Sequence, residues 1–277
     1  MAISYTLAEL CAFQKVKIMT RSETTVLAID IGSTRTHIAG VDIEKLSCID
    51  RENFNNTEFN ELFKDTIKKF YSNHQISKIN VTSCVKELAV MAKEFCKNTG
   101  IDNIDMVKAH GSLSVTLKYE NPEQLGSDRI CNALACGALF KNQSCVIIDC
   151  GTAVTIDYLH KGKIFEGGVI FAGSAAHAAA LYKQTDALPN VIFKNSEPLP
   201  RLPAKSTEKC IAAGVLYAAA GAIDRCIEEY KLIYGNEIRL IAAGGGWEFI
   251  KPLVKKNHEI TTAPDLTLIG AGIYRPC

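Results

Sequence analysis

Short runs of apolar residues alternate along the chain with longer segments in which apolar residues recur every three or four positions. The short runs are typical of buried strands, and the longer segments are typical of helices with one apolar face. The predicted strands are Thr25–Asp30, His37–Val41, Lys78–Val81, Ser144–Asp149, Ile156–Leu159 and Ile238–Ala242. The predicted helices include Glu58–Tyr71, Val85–Asn98, Ile130–Phe140 and the segment from Trp247 to Lys255. This alternation predicts an α/β fold.

Two of the predicted strands end in the same motif, an aspartate followed after one residue by glycine and a hydroxyl residue. Asp30, Gly32, Ser33 and Thr36 match Asp149, Gly151, Thr152 and Thr155 at a constant separation of 119 residues (149 − 30). A further strand follows each copy, which predicts a hairpin. A separation of this size indicates duplication of a whole domain. We therefore predict two α/β domains, residues 24–140 and 141–277, after an N-terminal extension of residues 1–23.

Composition and charge narrow the class of protein. The 277 residues are 47% apolar and 22% charged, which is typical of a globular chain and excludes disordered and fibrous classes. Lysine and arginine number 31 against 30 acidic residues, a formal charge of +1. This balance lacks the positive excess that favours binding to nucleic acid or to an anionic membrane. We expect neither as a partner.

The cysteines and the apolar segments indicate a cytoplasmic location. The eleven cysteines are odd in number and scattered, whereas a disulfide scaffold or a structural zinc site requires regular pairing or close spacing. The N-terminal residues lack the basic and apolar regions of a signal peptide. The longest run of small apolar residues, Cys210–Ile223, is shorter than the ~20 residues that a bilayer requires and is predicted to form a buried helix.

The repeated motif supplies groups that suit a nucleotide. A carboxylate at the end of a buried strand is a hard oxygen ligand for a hydrated divalent cation. The glycine lets backbone N–H groups approach a phosphate closely, and Ser33, Thr34, Thr152 and Thr155 add hydroxyl donors. One copy alone is most simply a polar turn. Two matching copies favour binding of a nucleotide phosphate and its metal in a cleft between the domains, with the metal beside Asp30.

A second candidate motif, Gly126-Ser-Asp-Arg129, stands at the start of a predicted helix. Asp128 is in the first turn, where the helix dipole stabilises a carboxylate. Two interpretations stay open here: Asp128 only caps the helix, or it is the base for a substrate hydroxyl with Arg129 as a neighbouring anion ligand. The glycines at 167–168 and 244–246 could likewise admit a ligand or simply permit close packing.

Together these segments resemble the type III pantothenate kinases, which belong to the actin-like/sugar-kinase/Hsp70 superfamily. Asp30–Thr34 is similar to the family's first phosphate motif, Gly126–Arg129 to its substrate motif, and Asp149–Thr155 to its second phosphate motif. Gly167–Gly168, Thr185, Thr207 and the segment from Pro264 also follow the family's order, so the resemblance covers residues 24 to 272. It implies two ribonuclease H-like (actin-like ATPase) domains with a cleft between them.

The resemblance implies ATP-dependent phosphorylation of pantothenate to 4′-phosphopantothenate by a homodimer, with Mg²⁺ and a monovalent cation, K⁺ or NH₄⁺. It implies that Asp128 is the general base and that Asp149 holds the monovalent cation. The implied ATP-binding residues are Asp30, Ile31, Gly32, Ser33, Thr34, Arg35, Thr36, His37 and Thr152. The implied pantothenate-binding residues are Tyr119, Gly126, Ser127, Asp128, Arg129 and Thr185.

Three positions depart from the family's pattern, which usually has Asn at Ser33, Pro at Ala172 and an acidic residue at Gly246. These departures leave a second hypothesis, a catalytically weak or inactive family member that acts as a regulatory or transcription accessory protein. A third hypothesis is a kinase or ATPase of the same superfamily with a different acceptor. Asp30, Asp128 and Asp149 are all present, which favours the pantothenate kinase.

Overall fold

The computed structural model describes residues 25–98, 103–109, 113–194 and 199–276. Contacts between residues divide the chain into two compact units. The first takes its described residues from Met1–Leu113, Glu123–Ala135 and Thr267–Cys277, and the second from Ser114–Pro122 and Cys136–Leu266. The expected extension, residues 1–23, lies outside the described residues.

A five-stranded sheet forms the centre of the first unit. Its strands are β1 (Thr25–Ile31), β2 (Arg35–Asp42), β3 (Ser47–Asn55), β4 (Ile76–Ser83) and β5 (Ile104–Met106), in the order β3-β2-β1-β4-β5. β1, β2 and β3 form an antiparallel meander, and β4 and β5 run parallel to β1. The helices are α1 (Phe59–Asn73), α2 (Lys86–Asn98) and α3 (Ser127–Leu139), whose last turn belongs to the second unit. There are 3₁₀ turns at Asn56–Glu58 and at Pro122–Gln124, where the chain passes from the second unit to the first. The apolar face predicted for α1 is buried against the sheet through Phe59, Phe63, Ile67 and Phe70.

The second unit contains a six-stranded sheet. Its strands are β6 (Thr116–Leu117), β7 (Ser144–Cys150), β8 (Ala153–His160), β9 (Ile164–Ala172), β10 (Ile238–Ala243) and β11 (Ile260–Thr262), in the order β11-β10-β7-β8-β9-β6. The accompanying helices are α4 (Ser174–Gln184), α5 (Thr207–Tyr234) and α6 (Trp247–Ile250), with a 3₁₀ turn at Lys251–Leu253. β7, β8 and β9 form an antiparallel meander, and β10 and β11 continue the sheet in parallel.

The two sheets repeat one topology. The order β9-β8-β7-β10-β11 in the second unit matches β3-β2-β1-β4-β5 in the first, with the same strand directions. Only the short edge strand β6 has no counterpart among the described strands of the first unit. This arrangement confirms the predicted α/β fold with two copies of a mixed, ribonuclease H-like sheet.

The last helix, α7 (Leu266–Ile273), lies almost entirely in the first unit, although the sequence boundary at 140/141 assigned it to the second domain. Asn80, buried in β4, donates from Nδ2 to the carbonyl oxygens of Ala271 at 2.7 Å and Tyr274 at 3.0 Å. Gly270 approaches the backbone of Cys131 so closely that a Cβ would lie 1.9 Å from its carbonyl oxygen. These contacts explain why the end of the chain returns to the first sheet.

Helix α5 is longer than the sequence pattern indicated. The predicted run Cys210–Ile223 is part of a 28-residue helix. By length and composition alone this helix could cross a membrane, and 44% of its most apolar 18-residue window is buried in protein. Leu216, Ala220, Ile223 and Ile227 belong to the core of the second unit. Core helices commonly meet the same criterion.

The helix predicted from Trp247 to Lys255 is shorter than expected. α6 ends at Ile250, and a 3₁₀ turn continues to Leu253. Pro252 lacks the N–H group that a continued α-helix requires.

Candidate active site

The first motif forms the turn between β1 and β2. Gly32 donates its N–H group to the carbonyl oxygen of Arg35 at 3.0 Å, which closes the turn around Ser33 and Thr34. Ser33 and Thr34 are exposed. Asp30, at the end of β1, is partly buried and lies opposite His37 in the strand register. The turn therefore presents hydroxyl and backbone donors beside a carboxylate.

Thr36 differs from its neighbours because its side chain is fully buried. Its Oγ1 donates to Oδ1 of Asn56 at 2.8 Å. Asn56 in turn donates from Nδ2 to the carbonyl oxygen of Gly32 at 2.7 Å and from its backbone N–H to that of Thr34 at 2.9 Å. Asn56 was not predicted from the sequence, since it belongs to no motif and its partners lie some twenty residues earlier in the chain.

The Gly126–Arg129 motif lies at the same edge of the five-stranded sheet as the Asp30 turn. Ser127, the first residue of α3, accepts hydrogen bonds at Oγ from Thr82 Oγ1 at 2.7 Å and from the Ser83 N–H at 3.1 Å. Thr82 lies opposite Asp30 in the parallel pairing of β1 and β4. The start of α3 is thereby attached where β1 and β4 end, which brings the Asp30 turn and the Gly126–Arg129 motif together. Thr82 was not identified from the sequence either.

Asp128 occupies the first turn of α3, as predicted, and is partly buried. Its Oδ1 accepts a hydrogen bond from the Arg129 N–H group at 2.8 Å. A Cβ at Gly126 would lie 2.4 Å from that same oxygen, so the carboxylate occupies space that only glycine leaves open. The Arg129 side chain is buried, with 4% of the residue exposed. The two interpretations of Asp128, helix cap and base, both fit this geometry.

The charges of Asp30 and Asp128 affect the pKa values of two nearby cysteines. Burial raises the pKa of Cys84, and the charges of Asp128 and Asp30 raise it further, while the hydrogen bond between Ser33 Oγ and Cys84 Sγ at 3.5 Å opposes the shift. Burial is also the largest cause of the raised pKa of Cys131, with Asp30 and Asp128 adding to it. Both carboxylates thus act on the same two thiols. A raised pKa keeps a thiol protonated, so neither cysteine has the thiolate character of a nucleophile.

The turn of the second copy is one residue shorter than that of the first. Gly151 donates its N–H group to the carbonyl oxygen of Ala153 at 3.0 Å, and Asp149 lies opposite Thr155. The sequence repeat matched Thr155 to Thr36, but in the strand register Thr155 takes the place of His37. Thr152 stands exposed in this turn, and its carbonyl oxygen accepts from the Gly173 N–H at 2.9 Å.

The glycines at 244–246 pack against the end of β7. Gly244 has φ +82°, and a Cβ there would lie 2.5 Å from Asp149 Oδ1. Gly246 donates its N–H to the Cys150 carbonyl oxygen at 2.8 Å, and a Cβ would also lie 2.8 Å from that oxygen. Close packing therefore accounts for glycine at both positions. An acidic side chain at position 246 would require this turn to shift.

The remaining predicted residues, Tyr119 and Thr185, lie in the second unit. Gly167 has φ +88°, and a Cβ there would contact the Tyr119 ring at 3.3 Å. The Tyr119 and Phe165 rings lie 6.2 Å apart. Thr185 is exposed at the end of α4, where its Oγ1 donates to the Leu181 carbonyl oxygen at 2.9 Å. Tyr119 thus adjoins the predicted glycine pair.

The chemistry of Asp30 fits a metal bound together with a nucleotide. Within the described ranges no group of three His, Cys, Asp or Glu side chains converges to hold a metal ion. Mg²⁺ needs no such group, because it keeps several waters and binds through one or two carboxylates together with substrate phosphates. Asp30 beside the Ser33–Thr34 turn provides a hard oxygen ligand of this kind. In the second unit, Asp149 lies next to the space left by Gly244 and is a separate carboxylate.

A duplicated β3-β2-β1-β4-β5 sheet, with an aspartate and a glycine turn after the first strand of each copy, is the ribonuclease H-like (actin-like ATPase) fold that the sequence resemblance implied. The model of the type III pantothenate kinase family matches residues 26–229. The chain belongs to the type III pantothenate kinase family and is a kinase, a phosphoryl-group transferase.

Relatives over most of the chain carry the same family name. A type III pantothenate kinase from Fervidobacterium nodosum is 31% identical over 247 residues, which is 88% of this chain and 94% of that protein. One from Janthinobacterium sp. is 38% identical over 154 residues, 55% of this chain and 58% of that protein.

Solved structures support the fold. A protein described as a Baf family transcriptional activator from Campylobacter jejuni has a TM-score of 0.51 at 21% identity, covering 88% of this chain and 94% of that one. The activator of the 2-hydroxyisocaproyl-CoA dehydratase from Clostridium difficile, with bound ADPNP, has a TM-score of 0.51 at 14% identity, with coverage of 90% and 93%. At these identities the similarity concerns the fold alone.

Proposed function

We propose that this kinase transfers the γ-phosphoryl group of ATP to the terminal hydroxyl of pantothenate, giving 4′-phosphopantothenate and ADP, the first step of coenzyme A biosynthesis. The family and its relatives' names support pantothenate as acceptor. The observation on which the proposal rests is the attachment of α3 to the end of β4 through Ser127, beside the Asp30 turn. It joins a phosphate motif and a candidate base in one unit.

The mechanism follows from these groups. Phosphoryl transfer requires positioning and charge stabilisation more than covalent chemistry by the protein. The turn at residues 32–34 binds phosphate oxygens, and Asp128 accepts the proton of the acceptor hydroxyl. The hydroxyl oxygen then bonds to the γ-phosphorus, while the bond to the β–γ bridging oxygen breaks and its electrons leave with ADP. Mg²⁺ held at Asp30 supplies neutralisation of the phosphate charge when bound. Arg129 orients the anionic substrate.

The second unit contributes the remaining roles in this proposal. Thr152 contacts ATP, Asp149 binds the monovalent cation (K⁺ or NH₄⁺), and Tyr119 and Thr185 contact pantothenate; the family resemblance supports these assignments. The active form is a homodimer, supported by the same resemblance. Light scattering at micromolar concentration tests this last point, and a monomer alone would contradict it.

We further propose that the enzyme acts in the cytoplasm, without nucleic acid or membrane as partner. The near-zero net charge supports this, as do the odd number and the scattered positions of the cysteines. The regulatory hypothesis is not favoured, because the relatives similar over most of the chain are named as kinases. The similarity to a transcriptional activator concerns the fold alone.

The experiment is a coupled product assay. The purified protein is incubated with ATP, Mg²⁺, pantothenate and either K⁺ or NH₄⁺, and ADP and 4′-phosphopantothenate are quantified by mass spectrometry, with reactions lacking pantothenate or each cation as controls. Equal amounts of both products support the proposal. ADP formation that responds only to another acceptor favours a different kinase of the superfamily. No turnover under any condition favours the regulatory hypothesis.

A further inference from the structure

We propose that Asn56 is a positioning residue for the triphosphate of ATP. It fixes the peptide planes of the turn at residues 32–34, between β1 and β2, and thereby determines the direction of the backbone N–H groups in this turn. This inference rests on the proposed function for the role of the turn. Its evidence is the set of three hydrogen bonds between Asn56 and the Gly32, Thr34 and Thr36 positions. All of these residues belong to the first unit.

The pairing of β2 with β3 places Asn56 beside the turn at residues 32–34. β2 and β3 pair antiparallel, with Arg35 opposite Asn55 at the end of the ladder. Asn56 is the next residue, and its N–H bond to the Thr34 carbonyl oxygen continues the ladder by one step. Phe54 and Phe59 on either side of it are buried, with their rings 6.1 Å apart. Two core residues therefore hold Asn56 in place.

The hydrogen-bond directions leave one orientation for the Asn56 amide. A carbonyl oxygen can only accept, so the NH₂ group of Asn56 must face Gly32. Oδ1 then faces Thr36, whose hydroxyl must donate to it. Thr36 is fully buried and Asn56 and Gly32 are partly buried, so the Thr36 end of this chain of hydrogen bonds is shielded from competing water. Shielding of this kind makes a hydrogen-bond network rigid.

The consequence for the turn follows from peptide geometry. In a trans peptide the C=O and N–H groups of one plane point in opposite directions, and the Gly32–Ser33 and Thr34–Arg35 peptides are trans. Asn56 holds the carbonyl oxygens of Gly32 and Thr34. The N–H groups of Ser33 and Arg35 must therefore point away from Asn56. Asn56 selects which face of the turn offers donors to phosphate oxygens.

The test replaces the donor while retaining the shape. Asn56→Asp can still accept from Thr36 but cannot donate to Gly32, and its carboxylate repels the carbonyl oxygen. We expect KM for ATP to rise about tenfold, as for the loss of one hydrogen bond, and KM for pantothenate to change less than twofold. Asn55→Asp is the matched control: it makes the same chemical change one residue earlier, at an exposed position where aspartate caps as well as asparagine.

Thr36→Val provides a second variant that does not depend on the first. It removes the hydroxyl that orients the amide, so KM for ATP should rise about threefold, with KM for pantothenate again little changed. In the double variant the two effects should combine to less than their product, because both act through one chain of hydrogen bonds. A purely structural role would instead lower the unfolding midpoint and change both KM values together.

The outcomes separate this inference from the proposed function. Binding of a non-hydrolysable ATP analogue with Mg²⁺ is measured by calorimetry alongside the kinetics. If the parent protein binds the analogue but forms no phosphopantothenate, the proposed function fails, and weaker analogue binding by Asn56→Asp still supports the inference. Unchanged ATP or analogue affinity in a folded Asn56→Asp or Thr36→Val protein overturns it, as does a parent protein that binds no nucleotide.

Discussion

The carboxylate of Asp128 lies where a side chain at position 126 would be, and this gives a direct test of its placement. In Gly126→Ala the new Cβ would lie 2.4 Å from Oδ1, so the carboxylate must move. A displacement of about 1 Å can cost about 10²-fold in rate, and we expect kcat to fall by that order while KM for ATP changes little. Gly221→Ala is the control, since nothing lies within 4 Å of its Cβ position. Equal kcat in the two variants would contradict the prediction.

Asp128 itself is tested by removing its basic oxygen. Asp128→Asn keeps the size and the hydrogen bond from the Arg129 N–H group. Loss of general-base assistance typically lowers the rate by about 10²–10⁴-fold, and we expect this in kcat with ATP binding unaffected. Steady-state kinetics on the folded variant decide the matter. A rate within a few-fold of the parent would show that Asp128 is only a helix-capping residue.

Asp30 is tested through its metal. Asp30→Asn replaces a charged oxygen ligand with a neutral one, which should raise the Mg²⁺ concentration for half-maximal activity by about tenfold or more. A magnesium titration at saturating ATP and pantothenate measures this. The same titration curve for parent and variant would exclude Asp30 as a metal ligand.

Among individual site residues, Gly126 and Asp128 could be predicted together from the sequence, because both belong to one short motif at the start of a helix. Asn56 and Thr82 could not be predicted in this way. Their partners lie 20 and 45 residues away, and no periodicity links them. Such residues become visible only when strand register is known.

Among the elements, helix α7 depends on one buried side chain. Asn80→Ala leaves the carbonyl oxygens of Ala271 and Tyr274 without this donor. The Ala271 oxygen keeps its hydrogen bond from the Tyr274 N–H group at 3.2 Å, so the variant leaves chiefly the Tyr274 oxygen unsatisfied. A buried unsatisfied group costs about 1–3 kcal/mol, and we expect a loss of that size in the free energy of unfolding. Urea titration measures it, with Asn73→Ala at the exposed end of α1 as control. A difference below about 0.5 kcal/mol between these variants would contradict the role of Asn80.

Strands and hairpins could be predicted from the sequence more reliably than the contacts between distant elements and the register of the turns. The two hairpins and the strands β1, β2, β4, β7, β8 and β10 were predicted because their apolar runs and turn residues are contiguous, whereas β3, β5, β6 and β11 were not predicted. The return of α7 to the first sheet was not, since Asn80 and Ala271 are 191 residues apart. The length of the turn after Asp149 was not predicted either, because shortening a turn by one residue changes the strand register without changing the sequence motif.

For the molecule as a whole, the buried cysteine thiols lead us to expect that the folded state loses stability at alkaline pH. Burial raises the pKa of Cys96 in the first unit to about 12, and burial together with Asp149 raises that of Cys150 in the second unit to about 12. An unfolded chain loses these protons from about pH 8.5, while the folded chain keeps them. The unfolded state then binds fewer protons, so stability falls as pH rises from about 9 towards 12.

Urea midpoints measured between pH 8 and 11 under reducing conditions test this, and we expect a continuous decrease above pH 9. Cys96→Ala should flatten the pH dependence even though it lowers stability at pH 8 by creating a cavity. A midpoint that stays constant to pH 11 in the parent protein would contradict the prediction.

The return of α7 to the first sheet has a consequence for biosynthesis. Ribosomes make the chain from its N-terminus, and domains generally fold as they emerge. Here the first unit includes Thr267–Cys277, so Asn80 meets its acceptors only after the residues of the second unit have been made. The second unit, whose residues end at Leu266, is fully translated before the first. Of the two units, the first is thus begun earlier in synthesis and completed later.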